Sequence, residues 1–208
     1  MMKNLIWASL ILLLAGCQKY PSDSVRLEDE DVVGTLYDQS TDFTQLKTYS
    51  IVDSIFYFKS EAGSNVPDTI VFEQSDQLKS LIRSNMNTRG WTEVDTSQNP
   101  DVGIDIILVS GENVGSYNYW NYYPYYWGWG GYGYWYPWYG GTVYYTYDVG
   151  TIHVDMIDLK NVDHDSEKLR VIWNSAAMGI LSNTQSYNHE RVRNAVNKMF
   201  EHSPYLTK

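Results

Sequence analysis

The stretch VGIDIILV, residues 102–109, sets Val102, Ile104, Ile106 and Leu108 against Gly103, Asp105, Ile107 and Val109. Side chains alternate between the two faces of a strand, so the first set makes one clearly apolar face. The same period returns in TIHVDMIDL, residues 151–159, where Ile152, Val154 and Met156 oppose His153 and Asp155. It returns again in LRVIWNSAA, residues 169–177, with Leu169, Val171 and Trp173 expected inward. The polar stretch Lys160–Lys168 joins the last two as a hairpin connection.

On either side of these strands the period changes to that of a helix. Ser75 is a good N-cap and Asp76 sits in the first turn, where the helix dipole favours negative charge. Leu78, Leu81, Ile82 and Met86 then recur at three- and four-residue spacing, and Arg89-Gly90 is a fitting stop. A last helix is expected from about Asn188 to His202, buried along Val192, Ala195, Val196, Met199 and Phe200, with Pro204 just beyond it. Earlier in the chain, Thr48–Asp53 reads as a strand with Tyr49 and Ile51 on one face, and Trp91–Asp95 as a short one. The pattern predicts an α+β domain: a mainly antiparallel sheet with two helices packed on one face, plus an aromatic, Gly-rich insertion between strands. The first strand can lie parallel to a neighbour through the first helix.

The chain opens MMKNLIWASLILLLAGC. Lys3 supplies a positive n-region, and Leu5–Leu14 is apolar apart from Ser9. Ten helical residues span roughly 15 Å, half of a hydrocarbon core of about 30 Å, so the segment reads as a secretory signal, residues 1–16. Leu14-Ala15-Gly16-Cys17 matches the bacterial lipobox. That resemblance implies that Cys17 becomes the mature N-terminus and carries a thioether-linked diacylglycerol and an amide-linked third chain. Two or three acyl chains hold a protein to a membrane far more firmly than one. Cys17 is the only cysteine, so a lipidated chain has no thiol left for a disulfide, a zinc site or a nucleophile. Gln18 stands where many enterobacterial lipoproteins carry the aspartate that retains them in the inner membrane. The expected location is therefore the outer membrane of a Gram-negative envelope, with the periplasmic face preferred over the cell surface. Residues 17–40 read as an acidic tether containing Glu28-Asp29-Glu30-Asp31, and 41–205 as a single domain.

The 208 residues carry a formal net charge of −10. An acidic surface repels phosphate backbones, and no basic footprint for nucleic acid is present in the sequence. Anionic head groups repel it too, which leaves contact with the membrane to the lipid anchor.

Several marks occur in one order. They are the lipobox, DFTQLKTYSI, a helix ending in NTRGW, NPDVGIDIIL, a Tyr/Gly-rich insertion, DVGTIHVDMID, LRVIWNSAA and a helix running into Pro204. In this the chain resembles the bacterial lipoprotein family catalogued as domain of unknown function 4136. The family's opening is matched by Asp42, Phe43, Leu46, Lys47, Thr48 and Tyr49. Its strand start is matched by Gly150, Thr151 and Ile152, and the tryptophan of its penultimate strand by Trp173. The resemblance covers about Thr41 to Tyr205 and implies no catalytic residues.

Chemistry-bearing residues are sparse. His153 and Asp155 share a strand face and with a third ligand could bind zinc, but the polar side of a half-exposed sheet accounts for them. Asp163-His164-Asp165 with Glu167 has the oxygen-rich spacing of a calcium loop but lacks its glycine, and reads as a solvated turn. There is no Gly-x-Ser-x-Gly elbow, phosphate loop or dinucleotide fingerprint. No metal, cofactor or catalytic residue is therefore expected.

The insertion, residues 115–147, is the unusual feature. Tyr119–Gly141 holds no charged side chain, and more than half of it is Tyr or Trp. Four readings compete. It is a low-complexity insertion of the kind surface loops tolerate. It is a glycan-binding surface, with Trp120, Trp127, Trp129, Trp135 and Trp138 stacking on sugars beside Tyr125 and Tyr134. It is a membrane-interface belt. Or it is a contact for another envelope protein. The expected role is non-catalytic: binding or envelope assembly by an outer-membrane lipoprotein. The alternative is a hydrolase acting on an envelope glycan or lipid.

Overall fold

Strands β1 (Val32–Tyr37), β2 (Thr48–Ile51), β3 (Phe56–Lys59), β4 (Thr92–Glu93), β5 (Val102–Ser110), β6 (Gly133–Trp135), β7 (Thr151–Asp163) and β8 (Lys168–Met178) join one sheet. Two helices, α1 (Ser75–Thr88) and α2 (His189–Glu201), complete an α+β domain. This computed structural model describes residues 32–52, 55–59, 75–110, 133–135, 150–163, 168–180 and 189–208. The strand order along the main path is β1-β8-β7-β5-β2-β4, with β3 pairing β5 and β6 pairing β8.

The apolar stripes meet in register. Ile104 faces Met156, Ile106 faces Val154 and Leu108 faces Ile152, antiparallel. Both helices set their buried residues into the same core: Leu78, Ile82 and Met86 from α1, and Val192, Val196, Met199 and Phe200 from α2. Trp173, fully buried, stacks obliquely on Phe200 with ring centroids 5.4 Å apart, and its Nε1 donates to Ser203 Oγ at 2.9 Å.

The C-terminal end of α1 follows the sequence signal, while Ser75, expected as the N-cap, is the first residue of the helix itself. Gly90 adopts φ +89°, Trp91 N donates to Met86 O at 3.2 Å and Gly90 N to Asn87 O at 3.0 Å, the paired bonds of a Schellman stop. Trp91 then enters the core beside Met86. Its Nε1 donates to Leu206 O at 2.7 Å, and the Lys208 ammonium lies 3.6 Å from the centre of its ring. Burial holds that ammonium down to about 8, while Asp101 and Asp42 pull the other way.

Four expectations are corrected. The sheet is mixed, not mainly antiparallel. β2 runs parallel to both β4 and β5, β3 parallel to β5, and β6 parallel to β8. The cause is the helical crossover: α1 returns the chain to the end of the sheet from which β2 started, so β4 and β5 run alongside it. Second, the acidic stretch expected to be tether up to residue 40 contains β1, which pairs antiparallel with β8 from Val32 opposite Met178 to Tyr37 opposite Trp173. Third, Leu169 and Val171 do not share a face with Trp173. The register shifts between Met156 and Ile157, so that Trp173 pairs Met156 while Val171 pairs Ile157. Ile172 is the extra residue of a bulge, and beyond it the strand's phase is inverted. Fourth, the second face of the sheet is not half-exposed. Asp105, His153, Asp155 and Asn174 are buried there among Ile107 and Ile157. The face is mixed rather than polar, and its polar members lie beside one another: Asp105 pairs Asp155 across strands, and Asn174 Nδ2 donates to Asp155 Oδ1 at 2.5 Å.

Candidate functional site

The outer side of β8 carries two strands placed end to end. β1 occupies 173–178 and runs antiparallel; β6 occupies 168–170 and runs parallel, with Tyr134 opposite Leu169 and Trp135 opposite Arg170. The short gap between them lies at the bulge, where Asp38 N donates to Ile172 O at 2.9 Å and closes the end of β1. Two segments far apart in sequence thus form one continuous sheet edge.

Side chains around the gap are tightly held. Arg170 reaches Asp38 Oδ2 at 3.2 Å and Asp158 Oδ2 at 2.8 Å. Asp158 is almost fully buried, and its Oδ1 also accepts from Lys160 N at 3.1 Å and Asn161 N at 3.0 Å. Asp38 Oδ1 accepts from Ser40 N at 2.9 Å and Ser40 Oγ at 2.7 Å, which turns the chain away after β1. Every charge in the cluster therefore has a partner. These contacts fix the edge.

Beside it lies an aromatic patch. Leu36 and Tyr37 are the large apolar residues of the described chain that stand out into solvent, 39% and 37% exposed. The Tyr37 ring stacks on Tyr205 with centroids 4.0 Å apart, and Phe43 lies 5.5 Å from Tyr205. Tyr205 OH donates to Ser203 Oγ at 3.2 Å, the same hydroxyl that receives Trp173 Nε1. Burial raises the Tyr205 phenol above its usual range, against the lowering pull of its hydrogen bonds, so it stays neutral. A flat, neutral, firmly backed aromatic floor beside an open backbone edge suits recognition.

Of the residues the sequence singles out, the structure places Tyr134 and Trp135 in β6, on this edge. Cys17, Trp120, Tyr125, Trp127, Trp129 and Trp138 lie outside the described residues, as do His164 and Asp165. Leu36, Tyr37, Asp38, Arg170 and Tyr205 were not singled out. The alternation of VVGTLY could have revealed β1, but the acidic run just before it makes the whole stretch read as solvated.

His153 and Asp155 do share a face, as their spacing requires, and both are buried. Burial alone pushes the His153 imidazole down to about 4, so it is neutral at ordinary pH. Among the described residues no three of His, Asp and Glu are arranged to hold a metal. No helix among them is long and apolar enough to cross a membrane.

Fold and edge together define an α+β domain whose mixed sheet ends in an open, aromatic margin. The chain belongs to the family described as Domain of unknown function (DUF4136), whose model matches residues 33–205. It is similar to a DUF4136 family protein from Bacteroides thetaiotaomicron, at 27% identity and a TM-score of 0.66, over 85% of this chain and 97% of that one. A PDZ domain protein from Parabacteroides distasonis matches at 16% identity and a TM-score of 0.44, covering 86% of this chain and 36% of that one. A PelC dodecamer from Paraburkholderia phytofirmans matches at 12% identity and a TM-score of 0.42, with 85% and 98% covered. No curated protein matches.

Proposed function

We propose that this is an outer-membrane lipoprotein, anchored through lipidated Cys17, with a non-catalytic role in binding or envelope assembly. It presents aromatic surface to an envelope glycan or to another envelope protein, from the periplasmic face of the membrane. The observation that carries this reading is the shared edge. The backbone of Tyr134 and Trp135, from the aromatic segment, lies in line with the exposed Leu36 and Tyr37 of β1. Binding surfaces are enriched in Tyr and Trp because these give large contact area at low conformational cost. The burial of His153 and Asp155, which a hydrolase reading would employ, supports the non-catalytic choice.

Deleting Tyr117–Tyr147 tests the role of the segment. Retention on immobilised peptidoglycan or capture by envelope proteins is expected to fall at least tenfold, while the remaining domain still melts cooperatively. Retention unchanged by the deletion refutes the reading. Lipidation is tested on its own: Cys17→Ser is expected to move the protein from the membrane to the soluble fraction.

A further inference from the structure

We infer that Arg170 is the positioning residue of the binding edge: by spanning Asp38 and Asp158 its guanidinium keeps β6 seated on β8, so binding through the aromatic segment depends on an ion pair made outside it. The inference rests on the binding role proposed above and names what sets it.

The seat of β6 is small and isolated. Its three residues pair, among the described residues, with Lys168, Leu169 and Arg170. Beyond Arg170 along β8, the bulge at Ile172 breaks the phase of the strand. On the β7 flank, Asp158 pairs Arg170 and the next pair is Asp163 with Lys168, so residues 159–162 stand opposite the single Leu169. Part of that excess is turned towards β5: Leu159 N and Lys160 N both donate to Asp101 O, at 3.0 and 3.1 Å. Leu169 is buried but lies outside the apolar core that the two helices close. Ladder bonds and core packing, which hold the rest of β8, are thus thin where β6 docks.

Arg170 makes up for this. Its backbone lies between Trp135 on one flank and Asp158 on the other. Its side chain reaches Asp158 Oδ2 at 2.8 Å and Asp38 Oδ2 at 3.2 Å. Both anchors are themselves fixed. Asp158 accepts from the backbone of Lys160 and Asn161, and Asn161 Nδ2 donates to its two oxygens at 3.2 and 3.1 Å. Asp38 is held at the end of β1 by its bond to Ile172 O and by Ser40. One planar guanidinium therefore ties β7, the seat and the end of β1 together, which a point charge on a flexible stem does not do. The side chain is 28% exposed, so water competes for it, and this places the seat among the parts of a fold that open before its core.

The test uses the full chain in detergent, with amide exchange and retention on immobilised peptidoglycan as separate readouts. Arg170→Met is expected to speed exchange at residues 133–135 and 168–170 at least tenfold more than at 104–108 and 152–156, a ratio that a uniform loss of stability does not move. Retention should fall at least fivefold. Arg170→Lys restores the charge but not the span. Melting should return towards the parent, while exchange at 133–135 stays at least threefold fast. Asp38→Asn keeps the shape of the side chain and weakens the tie from β1 alone. It should speed exchange at 133–135 at least threefold, although β1 and β6 each pair with β8 and not with one another. Exchange at 133–135 that rises no more than in the core in Arg170→Met, that Asp38→Asn leaves unchanged, or that Arg170→Lys restores fully overturns the inference. So does full retention by Arg170→Met once 133–135 is loosened. A parent chain that peptidoglycan does not retain counts against the binding role proposed above, and the exchange ratios then decide this inference by themselves.

Discussion

At the scale of single residues, the most consequential side chain near the edge is Arg170. It is the cation that faces both Asp38 and the buried Asp158 in this cluster. Removing one partner of a buried ion pair strands a charge and typically destabilises by about 3 kcal/mol or more. Arg170 is partly exposed, so water relieves some of that loss. Arg170→Met is expected to lower stability by about 2 kcal/mol in urea unfolding, and the added change Asp158→Asn should restore part of it. His153 gives a pH signature. Its ordinary value of 6.5 falls to about 4 in the fold because burial disfavours the charged ring. Between those values the unfolded chain takes up a proton that the folded chain refuses. The stability from a neutral His153 is therefore complete above about 6.5 and lost as pH falls through 4. Within that window the expected slope is up to one proton, about 1.4 kcal/mol per pH unit. His153→Gln should flatten the curve between pH 4 and 6.5 relative to the parent chain.

At the scale of elements, α1, α2, β5 and β7 are legible because each repeats a period long enough to be read. Val192, Ala195, Val196, Met199 and Phe200 are all buried, as their spacing requires. What escapes the pattern has a physical cause. The bulge at Ile172 inverts the phase of β8 midway, and no periodic reading anticipates an inserted residue. β1 is hidden by the acids before it, and β2 and β4 are too short for sequence to reveal their direction. The stop after α1 is legible at Gly90, and the structure adds a steric reason. A Cβ there would stand 2.9 Å from Lys208 Cβ, on a backbone with φ +89°. Gly90→Ala is expected to cost about 1–2 kcal/mol, read as a lower melting temperature, with the near-UV signal of Trp91 altered. Gly34→Ala meets open space and is expected to change melting little; a large loss would show that something else lies over β1.

At the scale of the whole molecule, α+β architecture follows from composition and period, but the assembly of the candidate site does not. It requires knowing that residues 133–135 and 32–37 share one side of β8, a long-range pairing that no local signal encodes. The aromatic segment advertises itself in sequence; the small apolar strand that meets it does not. Trp173, tied to Ser203 and through it to Tyr205, links the core to that margin. Trp173→Ala should therefore destabilise by about 3–5 kcal/mol and also loosen the Tyr37–Tyr205 stack, seen as faster amide exchange at residues 36–38.

β8 has a further consequence for biogenesis. It supplies a hydrogen-bonding flank to β1, to β6 and to β7, yet it emerges from the ribosome late. Until it arrives, β1 has travelled with no mate for most of the chain's synthesis, and loops of that length close slowly. Strand β1 should be the part that stays unpaired longest during synthesis, and a ribosome stalled ahead of Lys168 should leave it open to proteolysis.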